Sequence, residues 1–461
     1  MTLRLGQIAD WLGVALDAAF REVVVDSYVI DSRLAQAGSL FFALPGEHAD
    51  GHDFVGAAIA QGAAAAVVSR PLAGLPAPLL VVEDVQAALA QLGRAARNYW
   101  NKSVVAITGS AGKTSTKDAV ATLLGAAFPV SKTEGNLNNH LGVPLSLLRI
   151  ADNAQAAVLE MGMNHAGEIS ALCEIARPDL GVVTNVGYAH IENFPDGVEG
   201  IANAKRELIL ALPEGAPAIL NADDERVCRF AEGLPRKVRT FGLGEAAHTR
   251  AAKVQYHLEG ADFEIEGVPF RSRVPGRIGV SNISAAVAVA RLYGIPLARL
   301  AEKTSEIPVG KMRAERFVHA GIQIWNDCYN SNPDAAKAML DVLRDTSQAF
   351  HPQGRAIAVL GEMRELGHWA EPLHRALGNY AVQSGVAVLI GIRGAAQFLI
   401  ESMVEANSPD RAAFFFDDSR LAGLRLKSLV RPGDTVLFKG SRGTRVELAL
   451  EAFLGEEGKA A

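Results

Sequence analysis

The chain has 461 residues, of which 49% are hydrophobic and 21% charged, and it carries a formal net charge of −6. That length accommodates roughly three domains at about 150 residues each, and the acidic balance argues against a nucleic-acid binder. Three scattered cysteines (Cys173, Cys228, Cys328) form no CxxC pair, and no apolar run reaches the length of a membrane span, so a disulfide framework, a thiolate zinc site and a membrane-spanning helix are not expected. Cys173 and Cys228 read as small apolar core residues. The opening MTLRLGQIADWLG is an amphipathic start interrupted by Asp10, not a signal peptide. The expectation is a reduced, cytoplasmic protein.

Strand-like apolar runs alternate with helical patterns, which predicts an α/β chain built on mainly parallel sheets. In a first unit, residues 1–85, SLFFAL (39–44), AAAVVS (64–69) and LLVVED (79–84) read as strands, with GHDFVGAAIAQG as a helix between the first two. The helix VQAALAQLGRAARNYW then leads into a central unit, 86–312. Its strands are VVAIT (104–108), AAVLEM (156–161), LGVVTNV (180–186) and APAILN (216–221). Their C-terminal ends carry Thr108, Glu160, Asn185 and Asn221, at the edge where open α/β sheets bind ligands. A third unit, 313–461, holds strands IQIWND (322–327), RAIAVLGEM (355–363), VAVLIGI (386–392), AAFFFD (412–417) and DTVLFKG (434–440), a second doubly wound sheet. The tail GEEGKAA reads as frayed.

The most informative stretch is VVAITGSAGKT (104–114). A buried strand runs into the small-residue turn Gly109, Ser110, Ala111, Gly112, and Lys113-Thr114 opens a helix. Backbone N–H groups in such a turn, with the helix dipole behind them, cradle phosphate oxygens. Lys113 reaches the β/γ-phosphates and the Thr114 hydroxyl ligates Mg²⁺. Ile107 stands where the longer motif has glycine, so this is the GxxGKT form. Glu160 reads either as a metal ligand or as an exposed strand end. His190 reads as a ligand or a structural turn residue, and Asn185 as a substrate contact or a turn-former. In the helix IANAKRELILAL (201–212), Lys205 lies beside the apolar face of Ile201, Ala204, Leu208 and Leu212 and reads as a solvated charge. Three further loops are polar: SKTEGNLNNHLGVP (131–144); NDCYNSNPDA (326–335), with Asp327, Tyr329, Asn330 and Asn332; and KGSRG (439–443), with Lys439 and Arg442.

Taken together, DSR (31–33), LFFALPGEHADGHDF (40–54), TGSAGKTSTKD (108–118), TEGNLNNHLGVP (133–144), LEMGMNHAGEI (159–169), NDCYNSNP (326–333), GEMRELG (361–367) and KGSRG (439–443) resemble the ATP-dependent Mur ligases of peptidoglycan synthesis, over nearly the whole chain. The GNLNN, YNSNP and GEMRELG forms point to the MurF branch, which joins D-Ala-D-Ala to UDP-MurNAc-tripeptide. The DNPR motif typical of diaminopimelate-adding MurE enzymes is missing.

The resemblance implies a small α/β domain for the UDP-linked substrate, a central P-loop domain for ATP and a C-terminal Rossmann-like domain for the incoming amine, in a monomer. It implies that Gly109 to Ser115 and Asn282 hold ATP. It also implies that Thr114, Glu160, His190 and a carbamylated Lys205 hold two Mg²⁺ ions. Arg313, Asp327 and Asn330 close onto the nucleotide from the third domain. Ser32, Arg33, Gly46, Asp50, Gly51 and His52, with Asn136, Asn138 and Asn139, contact the UDP-linked substrate or the reaction centre. Closure is expected to hinge near 310–316 and 85–103. The family writes G-x-H-N-x-x-N where this chain has GRIGVSN (276–282). Ile278 and Gly279 replace the His and first Asn, which implies altered adenine contacts. Two other readings stay open. One is a sister ligase, MurE or a folylpolyglutamate synthase, although the folate enzyme lacks the DSR/DGH domain. The other is a non-catalytic nucleotide switch, which leaves the Asn-rich loops and the third domain without a role.

Overall fold

The structure is a computed structural model and describes residues 1–46, 49–407 and 409–455. Glu47 and His48 of the first polar loop, and the tail beyond Gly455, lie outside the described residues.

The first unit begins with a two-residue ladder, β1 (Leu3–Arg4) on β2 (Val24–Val25), flanking helix α1 (Leu5–Leu12). A parallel four-stranded sheet follows in the order β3 (Ser27–Val29), β4 (Ser39–Phe42), β5 (Ala65–Val68), β6 (Leu79–Val81). Helix α2 (Val55–Ala60) crosses between β4 and β5. The strands are buried apolar runs because parallel strands are covered on both faces. Phe41, Ala66 and Val68 pack on one side; Leu40, Phe42 and Val67 face the other.

Helix α3 (Val85–Trp100), N-capped by Asp84, joins this unit to the next. Its apolar face packs against both α1 and the central helices, so residues 85–100 form a helical brace between the two units.

The central sheet holds seven parallel strands: β7 (Ser103–Thr108), β8 (Val130–Lys132), β9 (Ala156–Glu160), β10 (Leu180–Val183), β11 (Pro217–Asn221), β12 (Lys237–Gly242) and β13 (Thr249–Arg250). Their spatial order is β13-β12-β11-β10-β7-β9-β8. The order reverses around β7, the topological switch point at which α/β sheets bind ligands. Along β7 successive side chains alternate faces. Val104 and Ala106 meet α3, α5 (Gly142–Leu148), α6 (Glu168–Ala176) and α7 (Gly197–Leu210). Val105 and Ile107 meet α4 (Lys113–Leu124) and α8 (Gly276–Leu292). A three-stranded antiparallel meander, β14 (Ala252–His257), β15 (Gly260–Ile265), β16 (Val268–Ser272), packs beside α8 and α9 (Leu297–Thr304). It was not anticipated. Its alternating ADFEI segment and glycine turns are a weaker signal than the long apolar runs around it.

The third sheet has the order β17-β18-β22-β19-β20-β21. Its strands are β17 (Glu315–His319), β18 (Ile322–Asp327), β19 (Ala356–Gly361), β20 (Val386–Ile392), β21 (Ala412–Phe416) and β22 (Thr435–Lys439). All pairs are parallel except the edge hairpin β17–β18. Helices α10 (Pro333–Phe350), α11 (Ala370–Gln383), α12 (Gln397–Glu405), α13 (Ser419–Leu429) and α14 (Glu447–Leu454) cover it. The architecture is therefore α/β in three sheet-centred domains. Cys173 is buried as expected, but Cys228 is exposed, because its short 3-10 turn lies on the surface. Among the described residues no helix is long and apolar enough to cross a membrane.

Gly93 sits in the middle of α3, where glycine costs about 1 kcal/mol relative to alanine. A Cβ there would stand 2.8 Å from Pro144 of α5. Gly93→Val is expected to destabilise the protein by about 1–3 kcal/mol through overpacking, seen as a lower midpoint in denaturant unfolding.

Candidate active site

The phosphate loop leaves β7 at Thr108, and its shape depends on its neighbour across the sheet. Gly109 has φ +151°, and a Cβ on it would fall 1.8 Å from Thr184 Oγ1 at the end of β10. Thr184 Oγ1 donates to Ala111 O at 2.6 Å. Ser110 N donates to Asn185 O at 3.0 Å, and Ala111 N to Asn185 Oδ1 at 2.8 Å. Asn185 therefore shapes the loop rather than meeting a substrate. Gly112 (φ +81°) admits Asn282 of α8, whose Oδ1 would lie 2.7 Å from a Cβ. Lys113 Nζ donates to Gly109 O at 2.7 Å, folding the lysine over its own loop. Burial lowers the Lys113 pKa, opposed by the nearby Glu160 carboxylate.

Glu160 ends β9, on the other side of β7. It is buried, so the exposed strand-end reading is excluded. Asn138 Nδ2 donates to its Oε1 at 2.7 Å, while Oε2 is buried without a hydrogen-bond partner among the described residues. A buried carboxylate oxygen with no donor is costly. Beside a hydroxyl such as Thr114 and the oxygens of a bound phosphate, it suits a hard cation such as Mg²⁺. That ion is usually held by one or two carboxylates plus substrate phosphates rather than an all-protein cage. No group of three or more His, Cys, Asp or Glu side chains forms such a cage among the described residues.

Lys205, read from the helix pattern as a solvated charge, is instead fully buried on α7, and no hydrogen bond to its Nζ is present among the described residues. Burial, reinforced by the positive charge of Lys113, drives its pKa well below the ordinary lysine value. The helix pattern missed this because the face against β10 is wider than the strictly apolar stripe.

The third domain supplies the opposite wall. Asp327 ends β18 and is in register with Lys439 at the end of β22, with Lys439 Nζ 2.5 Å from Asp327 Oδ2. The NDCYNSNP and KGSRG segments thus lie side by side, and GEMRELG follows the adjacent β19. Asn332 caps α10 and donates to Ser110 O at 3.3 Å. Tyr188 N donates to Asp334 Oδ2 at 3.2 Å. His190 Nδ1 stands 2.5 Å from Glu365 Oε2, a short but poorly aligned contact that holds the Glu365 carboxyl below its usual pKa.

Between these walls lies a cleft of about 430 Å³. It brings together Ser110, Ala111, Gly112, Lys113, Thr114 and Ser115 with Glu160, His190 and Asn282. Asn136, Asn138 and Asn139 close one end, and Arg313, Asp327 and Asn330 face the loop. Gly109 and Lys205 lie behind this lining. Asn164, Glu168 and Ser331 also line the cleft and were not singled out from sequence. Ile278, with Val274, Met339 and Val342, makes one end apolar, while a Cβ on Gly279 would press within 2.7 Å of Val274.

Ser32, Arg33, Gly46, Asp50, Gly51 and His52 are not part of this cleft. They gather at the C-terminal edge of the first sheet, beyond β3, β4 and β5. Asp50 Oδ1 lies 2.6 Å from His52 Nδ1, and Arg70 Nη2 donates to Asp50 Oδ2 at 2.8 Å. His52 Nε2 accepts from Ser69 N at 2.8 Å, so its ring pins the loop to β5. Arg33 is exposed and paired with Asp31.

Three family signatures match this chain in order: the Mur ligase family catalytic domain over residues 25–97, the Mur ligase middle domain over 107–290, and the Mur ligase glutamate ligase domain over 312–442. A curated relative from Bacillus subtilis, UDP-N-acetylmuramoyl-tripeptide–D-alanyl-D-alanine ligase, is 33% identical over 94% of both chains. The chain belongs to the Mur ligase family. Among solved structures, MurF from Acinetobacter baumannii superimposes with a TM-score of 0.87 at 28% identity, covering 98% of this chain and 99% of that one. MurF from Thermotoga maritima in complex with ADP gives 0.80 at 29% identity, covering 95% and 99%. The order of domains in this Mur ligase explains the cleft, which takes one wall from the middle domain and one from the C-terminal domain.

If Lys113 neutralises charge that develops on a transferring phosphoryl group, Lys113→Ala lowers kcat by at least about a hundredfold. Steady-state ATP turnover measures this, and near-normal turnover would remove the lysine from the reaction.

Proposed function

We propose that this Mur ligase joins D-Ala-D-Ala to UDP-MurNAc-tripeptide, with ATP hydrolysed to ADP and phosphate through an acyl-phosphate intermediate. The observation that carries the reading is the two-walled cleft. A phosphate loop and the orphaned Glu160 oxygen face Arg313, Asp327 and Lys439 of another domain. Whole-length relatives that bear this activity's name support the choice of substrates.

Lys113 binds the β/γ-phosphates and Arg313 meets them from the third domain. The tripeptide carboxylate, held by Asn136, Asn138 and Asn139, attacks the γ-phosphorus in line. ADP leaves, and the carboxyl becomes an acyl phosphate. The dipeptide amine then attacks the acyl carbon and phosphate departs. Positioning of the reactants supplies much of the acceleration. Water would hydrolyse the acyl phosphate, so the contacts of Asn332, Asp334 and Glu365 across the cleft serve to keep it closed.

Thr114 and Glu160 would hold one Mg²⁺, and His190 with Lys205 a second. Bound magnesium neutralises and orients phosphate oxygens. Lys205 would serve as a carbamate, whose oxygens suit Mg²⁺ better than an amine nitrogen does. Its burial favours the neutral amine that reacts with CO₂. The residues at the edge of the first sheet would take the uridine nucleotide. A monomer suffices, since every proposed group comes from one chain.

Phosphate release with Mg²⁺ and ATP should require UDP-MurNAc-tripeptide and D-Ala-D-Ala together. Turnover with a single amino acid in place of the dipeptide would assign a sister activity, and ATP binding without turnover would favour a switch. Lys205→Ala should be inactive and partly recover with added acetate. Unchanged turnover in that variant would make Lys205 a structural residue.

A further inference from the structure

Arg313 is presented on an unusual piece of backbone. Its neighbours Met312 (φ 55°) and Ala314 (φ 52°) both occupy the left-handed region, although neither is glycine. Such conformations persist only where surroundings impose them. Here Ala314 N donates to Asp327 Oδ1 at 2.9 Å, Met312 N to Glu315 Oε2 at 3.3 Å, and Tyr329 N to Met312 O at 3.1 Å. The other Asp327 oxygen is taken by Lys439. The turn is thus tied to the ends of β18 and β22.

The Arg313 side chain is held differently. No carboxylate pairs with it among the described residues. Its guanidinium carbon lies 3.9 Å from the centroid of the Tyr329 ring, within cation–π range. Both residues line the cleft that Lys113 enters from the phosphate loop. Two cations facing each other across a cleft call for an anion between them. A carboxylate beneath Arg313 would neutralise the charge that this anion needs. An aromatic face orients a guanidinium and leaves its charge in place.

We propose that Tyr329 is a positioning residue for phosphoryl transfer: its ring fixes the Arg313 guanidinium toward the transferring phosphoryl group. The ring face does this work and the hydroxyl does not. The inference rests on reading Arg313 as a phosphate-binding residue.

The test is a double-mutant cycle in the full-length enzyme, reading kcat and KM for amine-dependent phosphate release alongside thermal unfolding. Tyr329→Leu should lower kcat about tenfold, with KM for UDP-MurNAc-tripeptide and the unfolding midpoint unchanged. Tyr329→Phe should restore turnover to within about threefold of wild type. In an Arg313→Ala background, Tyr329→Leu should add less than about twofold. Tyr329→Met replaces the leucine variant if that protein does not fold. Losses that multiply in the double variant, or a Tyr329→Phe protein as impaired as Tyr329→Leu, would overturn the positioning role. Unchanged kcat in Arg313→Ala would instead overturn the phosphate reading beneath it.

Discussion

The cleft depends on the closeness with which β10 and α8 approach the phosphate loop. At Gly109 and Gly112 there is no room for a Cβ, because Thr184 and Asn282 occupy the space one would need. Those close approaches define the path of the glycine-rich turn. Asn185 completes it, giving a side-chain acceptor to Ala111 N and a backbone acceptor to Ser110 N. Each of these contacts lies within the protein, so the turn is held by groups other than the nucleotide.

From this fixed loop the rest of the arrangement follows geometrically. Because β7 lies at the switch point, its neighbours β9 and β10 deliver Glu160 and Thr184 to either side of the loop. Lys205, one layer back on α7, is buried against the same sheet. The third sheet repeats the principle. Parallel strands β18, β22 and β19 bring three separate segments to one edge, and that edge faces the loop. Two parallel sheets meet at their ligand-binding edges, and the space between them is the site. Polar contacts at that junction include Asn332–Ser110, Asp334–Tyr188 and Glu365–His190, while Val342 of α10 packs against Gly276 of α8.

One end of the cleft is apolar. Gly279 stands where relatives of this family are expected to carry a side chain, and the space beside it is filled by Val274. That end of the cleft is packed with apolar side chains, while the phosphate end has Asn282 against Gly112.

The sequence by itself determined the strand–turn–helix of the phosphate loop, the long buried strands of all three sheets and the α/β class. These signals are local, carried by apolar runs and by glycines whose spacing encodes a turn. Glu160 was visible too, because a charge closing an apolar strand needs only that strand to be noticed. What only the tertiary structure decided lies at longer range. Lys205 looked solvated until α7 was laid on the sheet. The meander of β14 to β16 and the antiparallel edge strand β17 were invisible, since short alternating segments gain their identity from a partner. Asp327 meets Lys439 across 112 residues, and Ser110 meets Asn332 across 222. Strand register and domain docking create those contacts, and neither leaves a mark on the spacing of residues along the chain.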